Sequence, residues 1–209
     1  MRKTLLVSHR DQTDNTVIPA ERFSRTLNVT TGQAAFPSLK ELVQLFYDEV
    51  GELASFDECA GEAMPEPSRA LLDHNQHMTV TVESFHGCLV DVQVLEYQLD
   101  RTYKRKILLT RQSDGAVVMF GIVRLHTQFL AETVRREIES RKTPLGRVLI
   151  EHNVLRRVEL GKLWRVTPNL ELQRHFNLDS PKVTFGRTAI IHCDEEPAIE
   201  LVEIVSPES

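Results

Sequence analysis

Tyr103-Lys104-Arg105-Lys106-Ile107-Leu108-Leu109-Thr110, then Gln112-Ser113-Asp114-Gly115, then the run from Ala116 to Leu125, is the stretch whose reading decides the fold. Two apolar, β-prone runs flank an Asp-Gly pair. Asp and Gly both tolerate left-handed backbone, so the pair is a strong hairpin signal. Upstream, Leu89 to Leu99 is another long β-rich run, and Thr79 to Ser84 alternates like a strand, with Gly87 permitting a turn between them. Downstream, Leu155 to Val166 is strand-like. A last hairpin runs from Val183 to Cys193 and from Ala198 to Val205, turning at Asp194-Glu195-Glu196-Pro197.

Helical signals lie outside these runs. Ser38 and Glu41 have capping-box spacing, and Leu39, Leu42, Val43, Phe46 and Val50 follow on one helical face. Residues 56–68 read as an exposed connection, and a short helix is expected at 68–74. Phe129, Leu130, Val134 and Ile138 mark the buried side of a further helix. Pro144 can open a second short one, since its missing N–H would be unpaired there anyway. Residues 167–182 read as a loop. Consecutive hairpins without long intervening helices imply an α+β fold: a mostly antiparallel sheet of about six strands with helices on one face. Residues 1–70 are expected to form an N-terminal helical extension packed on a domain at 71–209.

Composition sets wide bounds. The 209 residues are 41% hydrophobic and 26% charged, an ordinary balance for a globular chain able to build a core. A net charge of −5 argues against nucleic acid as the main partner, because phosphate binding leaves a basic footprint. It leaves room for a locally basic pocket. Cys59, Cys88 and Cys193 are far apart and show no metal-ligand spacing, so reduced thiols and no metal are expected. The apolar run Leu5-Leu6-Val7 is too short for a signal peptide, and no stretch reaches the roughly 20 apolar residues of a membrane span. A cytoplasmic location is the expectation.

Charges inside apolar strands are the candidates for chemistry. Arg105 stands between Lys104 and Lys106, and Glu203 between Val202 and Ile204. Strands alternate faces, so either Arg105 or both lysines point inward. An inward arginine needs a carboxylate or a bound anion. Glu200 is the rival of Glu203; three residues away, it faces the other side unless a bulge intervenes.

The ordered set Arg105-Lys106-Ile107-Leu108-Leu109, Asp114-Gly115, Thr143-Pro144-Leu145-Gly146-Arg147, Arg157, Gly186-Arg187 and Glu203 ahead of Pro207 resembles the chorismate pyruvate-lyase family over roughly residues 73–207. The resemblance implies an antiparallel sheet with the ligand beneath helical flaps, and a lyase needing no cofactor that converts chorismate to 4-hydroxybenzoate and pyruvate. Position by position it implies Arg105 as the carboxylate-gripping arginine, Leu145 as a backbone N–H donor, Met78 as a substrate contact and Glu203 as the catalytic carboxylate. Arginine can hold a carboxylate bidentately, where lysine offers a point charge. Leu145, just after Pro144, would present a helix-start N–H. Glu203 would shuttle a proton during aromatisation if its setting raised its pKa.

Arg187 is a second anion contact or a solvent-facing strand residue, with solvent preferred, and Arg157 a site support or a salt-bridge partner. His74 and His77 are taken as surface or capping residues. The rival to the lyase is a non-catalytic domain of the related fold that binds a small carboxylate effector.

Overall fold

A computed structural model describes residues 36–207 of the chain, and the expected hairpin is its central feature. β3 (Tyr103–Arg111) and β4 (Val117–Leu125) pair antiparallel. Gly115 has φ +74°, a left-handed conformation that a side chain would strain. The Asp114 carboxylate accepts from the Ala116 N–H at 3.1 Å and from Arg111 Nη2 at 2.7 Å, so the turn is stapled from both sides.

The strand order is β1-β5-β6-β7-β4-β3-β2, antiparallel throughout, with β2 at Val90–Leu99, β5 at Arg156–Pro168, β6 at Thr184–Cys193 and β7 at Glu196–Val205. The antiparallel sheet expected from the hairpins is thus present, with seven strands. The additional one is β1 (Ala54–Cys59), an edge strand paired with β5. It takes in Phe56 to Cys59, which the sequence suggested as exposed connection; its mostly exposed side chains leave no apolar alternation to read.

Helices cover the sheet. α3 (Ser68–Leu72), α4 (Met78–His86), α5 (Glu132–Ser140) and α6 (Leu145–Glu151) pack over Ile107, Met119, Val123, Ile191 and Leu201. The short α1 (Leu39–Val43), α2 (Val50–Leu53) and α7 (Leu170–His175) pack against Leu108, Phe120, Ile122, Val202 and Ile204, which point the other way. The Ser38–Glu41 capping box forms, each partner bonding the other's backbone N–H at 3.1 Å. Among the described residues no helix is long and apolar enough to cross a membrane.

Two local expectations are corrected. Thr79 to Ser84 is not a strand but the body of α4. Its β-branched residues mimic alternation, yet the buried positions Met78, Thr79 and Val82 have helical spacing. Gly87, at φ +64°, ends that helix in a left-handed cap. The loop at 167–182 contains α7, started by the Asn169 side chain accepting from the Leu170 N–H at 2.8 Å.

A buried arginine beside a lidded cavity

Register decides which charges meet. Ile107 lies opposite Gly121, Gly121 opposite Glu203, Glu203 opposite Arg187, and Arg187 opposite Leu163. Directly opposed residues share a face. Two residues along, Arg105 lies opposite Val123, which lies opposite Leu201. Arg105, Glu203 and Arg187 therefore stand on the face covered by α3–α6. Lys106 stands on the other face, buried against Tyr47 and paired with Glu171 at 3.1 Å and Glu96 at 3.4 Å. Glu200 is also on that other face, held by Arg124 and by His126 at 3.1 Å. The register shift of the last hairpin falls at Ile191/His192, so it leaves the alternation from Glu200 to Glu203 intact.

A cavity lies between sheet and helices. Its floor includes Ile107, Gly121, Val123, Leu201 and Glu203; Met78, Thr79, Leu145 and Gly146 form its roof. Its volume is about 30 Å3, room for a water molecule and too little for an aromatic acid. The roof helices meet closely. A Cβ on Gly146 would lie 2.9 Å from Thr79 Oγ1, so any side chain at 146 would push Thr79 aside where α4 and α6 cross.

Arg105 rises from this wall: its strand neighbour Ile107, its facing Val123 and the adjoining Leu201 all line the cavity. It is 0% exposed, and none of its three guanidinium nitrogens has a hydrogen-bond partner among the described residues. Burial pushes its pKa down. The Tyr103 hydroxyl is near enough to favour the charged form, yet no hydrogen bond of normal geometry joins the two, and that hydroxyl is itself buried and unpaired.

Glu203 and Arg187 are, by contrast, paired with each other. Arg187 Nε donates to Glu203 Oε2 at 2.7 Å, and both side chains are buried. The preferred solvent-facing placement of Arg187 is corrected: it is 1% exposed, and the ion pair offsets part of the cost of turning it inward. Arg157 lies elsewhere, with its side chain 63% exposed and paired with Glu159 at 2.9 Å. Of the sequence candidates, then, Met78, Leu145, Glu203 and Arg187 line one cavity, Arg105 adjoins it, and Arg157 does not.

His77 and Gly121 line the cavity and were not singled out for it. Gly121 has no side chain to periodise. His77, taken as a surface or capping residue, does precede α4 as its cap residue, but with no capping bond from its side chain. Its Nε2 is buried without a partner, and burial, then Arg156 and Arg187, lower its pKa from 6.5 to about 4. His74 is shifted the same way, by burial and then Arg187. An unfolded chain takes up these protons at the ordinary value, so between pH 6.5 and pH 4 it binds more protons than the folded one, and stability falls as pH falls through that window. The urea midpoint should therefore be lower at pH 5 than at pH 7. His77→Asn should shrink that difference.

No protein-family model and no curated protein sequence matches the chain. Solved structures do resemble it. One is a possible transcriptional regulator, YydK from Bacillus subtilis, at 10% identity and a TM-score of 0.41, covering 56% of this chain and 57% of that one. Another is PhnF from Mycobacterium smegmatis, at 11% identity and a TM-score of 0.44, covering 63% and 64%. A third is a PhnF C-terminal domain, at 12% identity and a TM-score of 0.41, covering 58% and 85%. The chain thus spans less than two thirds of the YydK and full PhnF chains. The expectation of an enzyme is corrected here: the Glu203 carboxylate expected to do the chemistry is held by Arg187. What remains of the expectation is the architecture, an antiparallel sheet covered by helices.

Proposed function

We propose that this domain binds a small carboxylate without transforming it, with Arg105 as the counter-charge. The observation that carries this is Arg105 itself, a fully buried guanidinium with no partner among the described residues, next to a cavity that its strand neighbour Ile107 and its facing Val123 line. Burying an unpaired charge costs several kcal/mol, and a carboxylate accepting two parallel N–H bonds would offset it. The apolar lining from Ile107, Val123, Leu145 and Leu201 suits the body of such a ligand. Lysines would not serve as well, and both neighbouring lysines belong to the opposite face.

Thermal unfolding in a series of carboxylates (benzoate, 4-hydroxybenzoate, chorismate) and in the matching amides tests this. A ligand at a hundred times its Kd stabilises by about 2.7 kcal/mol, which for a domain of this size raises Tm by about 5–10 °C. The shift is expected with at least one acid, absent with its amide, and accompanied by recovery of the ligand unchanged. Equal shifts with acid and amide would remove Arg105 from the role. Gly121 offers a second check. A Cβ there would already meet Ile107 Cγ1 at 3.3 Å, so Gly121→Val should block the cavity floor and abolish the shift, at an overpacking cost of about 1–3 kcal/mol.

A further inference from the structure

One side chain ties the segment that leads into the cavity roof to the cavity floor. From β6, Arg187 donates Nη1 to the His74 carbonyl at 2.9 Å and Nη2 to the Gln76 carbonyl at 3.1 Å, while its Nε is held by Glu203. Nη1 also lies 3.3 Å from His74 Nδ1. The protonation of that ring follows from its other contacts. His74 Nε2 sits 2.7 Å from the Leu71 carbonyl, which can only accept, so Nε2 carries the proton and Nδ1 is left to accept from the Gln76 N–H and from Arg187. The segment between α3 and α4 therefore presents three acceptors to one guanidinium. Asn75 ties the segment to the sheet as well, its Oδ1 accepting from the Leu160 N–H at 3.0 Å.

We infer that Arg187 is a latch: it holds the segment from His74 to His77, and with it the start of α4, down on the cavity, and ligands are admitted when it lets go. The cavity is too small for a ring, so any aromatic acid must raise the roof to enter, and the roof helix begins directly after the latched segment. Glu203 holds the guanidinium at the floor, which leaves both Nη groups aimed at the segment. An arriving anion has a means of opening the latch. Arg187 lines the cavity and its carbonyl partners are neutral, and a charged oxygen makes a stronger hydrogen bond to guanidinium than a carbonyl does. The carboxylate would exchange with the His74 and Gln76 carbonyls, and the start of α4 would be freed as the site fills, while Glu83 keeps the helix body on Val90. This last step rests on the carboxylate-binding proposal; the mechanical tie does not.

Hydrogen–deuterium exchange on the full chain, without ligand, tests the tie, using Arg187→Lys. Lysine keeps a charge for Glu203 and loses the fork. Amides of residues 74–81 should exchange at least tenfold faster, with β6 and β7 unchanged. The association and dissociation rates of 4-hydroxybenzoate, used as the probe, should both rise several-fold while Kd moves less. Unchanged exchange at 74–81, or faster exchange spread equally over β6 and β7, would overturn the latch. Faster exchange confined to 74–81 with no probe binding in either protein would uphold the tie and overturn the carboxylate reading of the site. If Arg187→Lys does not fold, Glu203→Gln keeps the guanidinium but weakens its anchor, and it must show the same localised change or the latch falls.

Discussion

Arg105→Met should give a more stable protein that no longer responds to carboxylates. Methionine fills a similar volume with no charge and adapts to irregular apolar surroundings. In the unliganded protein it replaces a guanidinium that is fully buried and makes no hydrogen bond among the described residues. Replacing buried ionic groups by apolar ones of similar size stabilises by about 1–4 kcal/mol even where the ions are paired, and an unpaired one has less attraction to lose. A stability gain in that range is expected, measured as a rise in the urea midpoint at constant slope. The carboxylate-dependent Tm shift should vanish in the same variant. Few substitutions are expected to gain stability and lose ligand response together, because few residues are retained at a standing cost. A variant less stable than the parent by 2 kcal/mol or more would mean that Arg105 is already satisfied within the fold. The carboxylate proposal would then lose its main support.

The opposite sign is expected two strands away. Glu203→Ala leaves Arg187 buried with its Nε unpaired, and breaking a buried ion pair from one side costs about 3–5 kcal/mol. That is a large part of the stability of a domain this size. The double variant Glu203→Leu with Arg187→Met should recover much of the loss, since no charge is then left uncompensated. Denaturant melts of the single and double variants measure both. A Glu203→Ala cost below about 1 kcal/mol, the range of exposed pairs, would show that the pair is open to water and that Glu203 is not holding Arg187 in place.

Much of the sheet was legible from short-range pattern. The Asp114-Gly115 turn, the strands on either side of it and the last hairpin all follow from local backbone preference and period-two alternation, which act within a few residues. The same holds for the capping box at Ser38 and Glu41. α4 was misread because Thr79, Val80, Thr81 and Val82 satisfy a strand's composition, and packing onto the sheet overrode that preference. β1 escaped notice because an edge strand with exposed side chains carries no apolar period.

The site divides along the same line. Sequence alone determined that Arg105 and its neighbouring lysines point in opposite directions, that Glu200 and Glu203 do the same, and that Leu145 opens a helix; these are consequences of strand and helix period. Which direction was inward, and what each charge would meet there, only the tertiary structure decided. Arg187 finds its acceptors 111 and 113 residues away in the chain, and Glu203 meets it across a hairpin. Lys106 found carboxylate partners on its face of the sheet, whereas on the other face Glu203 is held by Arg187 and Arg105 has no partner among the described residues. The energy of a buried charge depends on the few atoms around it, and those are gathered by strand register and helix packing from segments that no local window spans together.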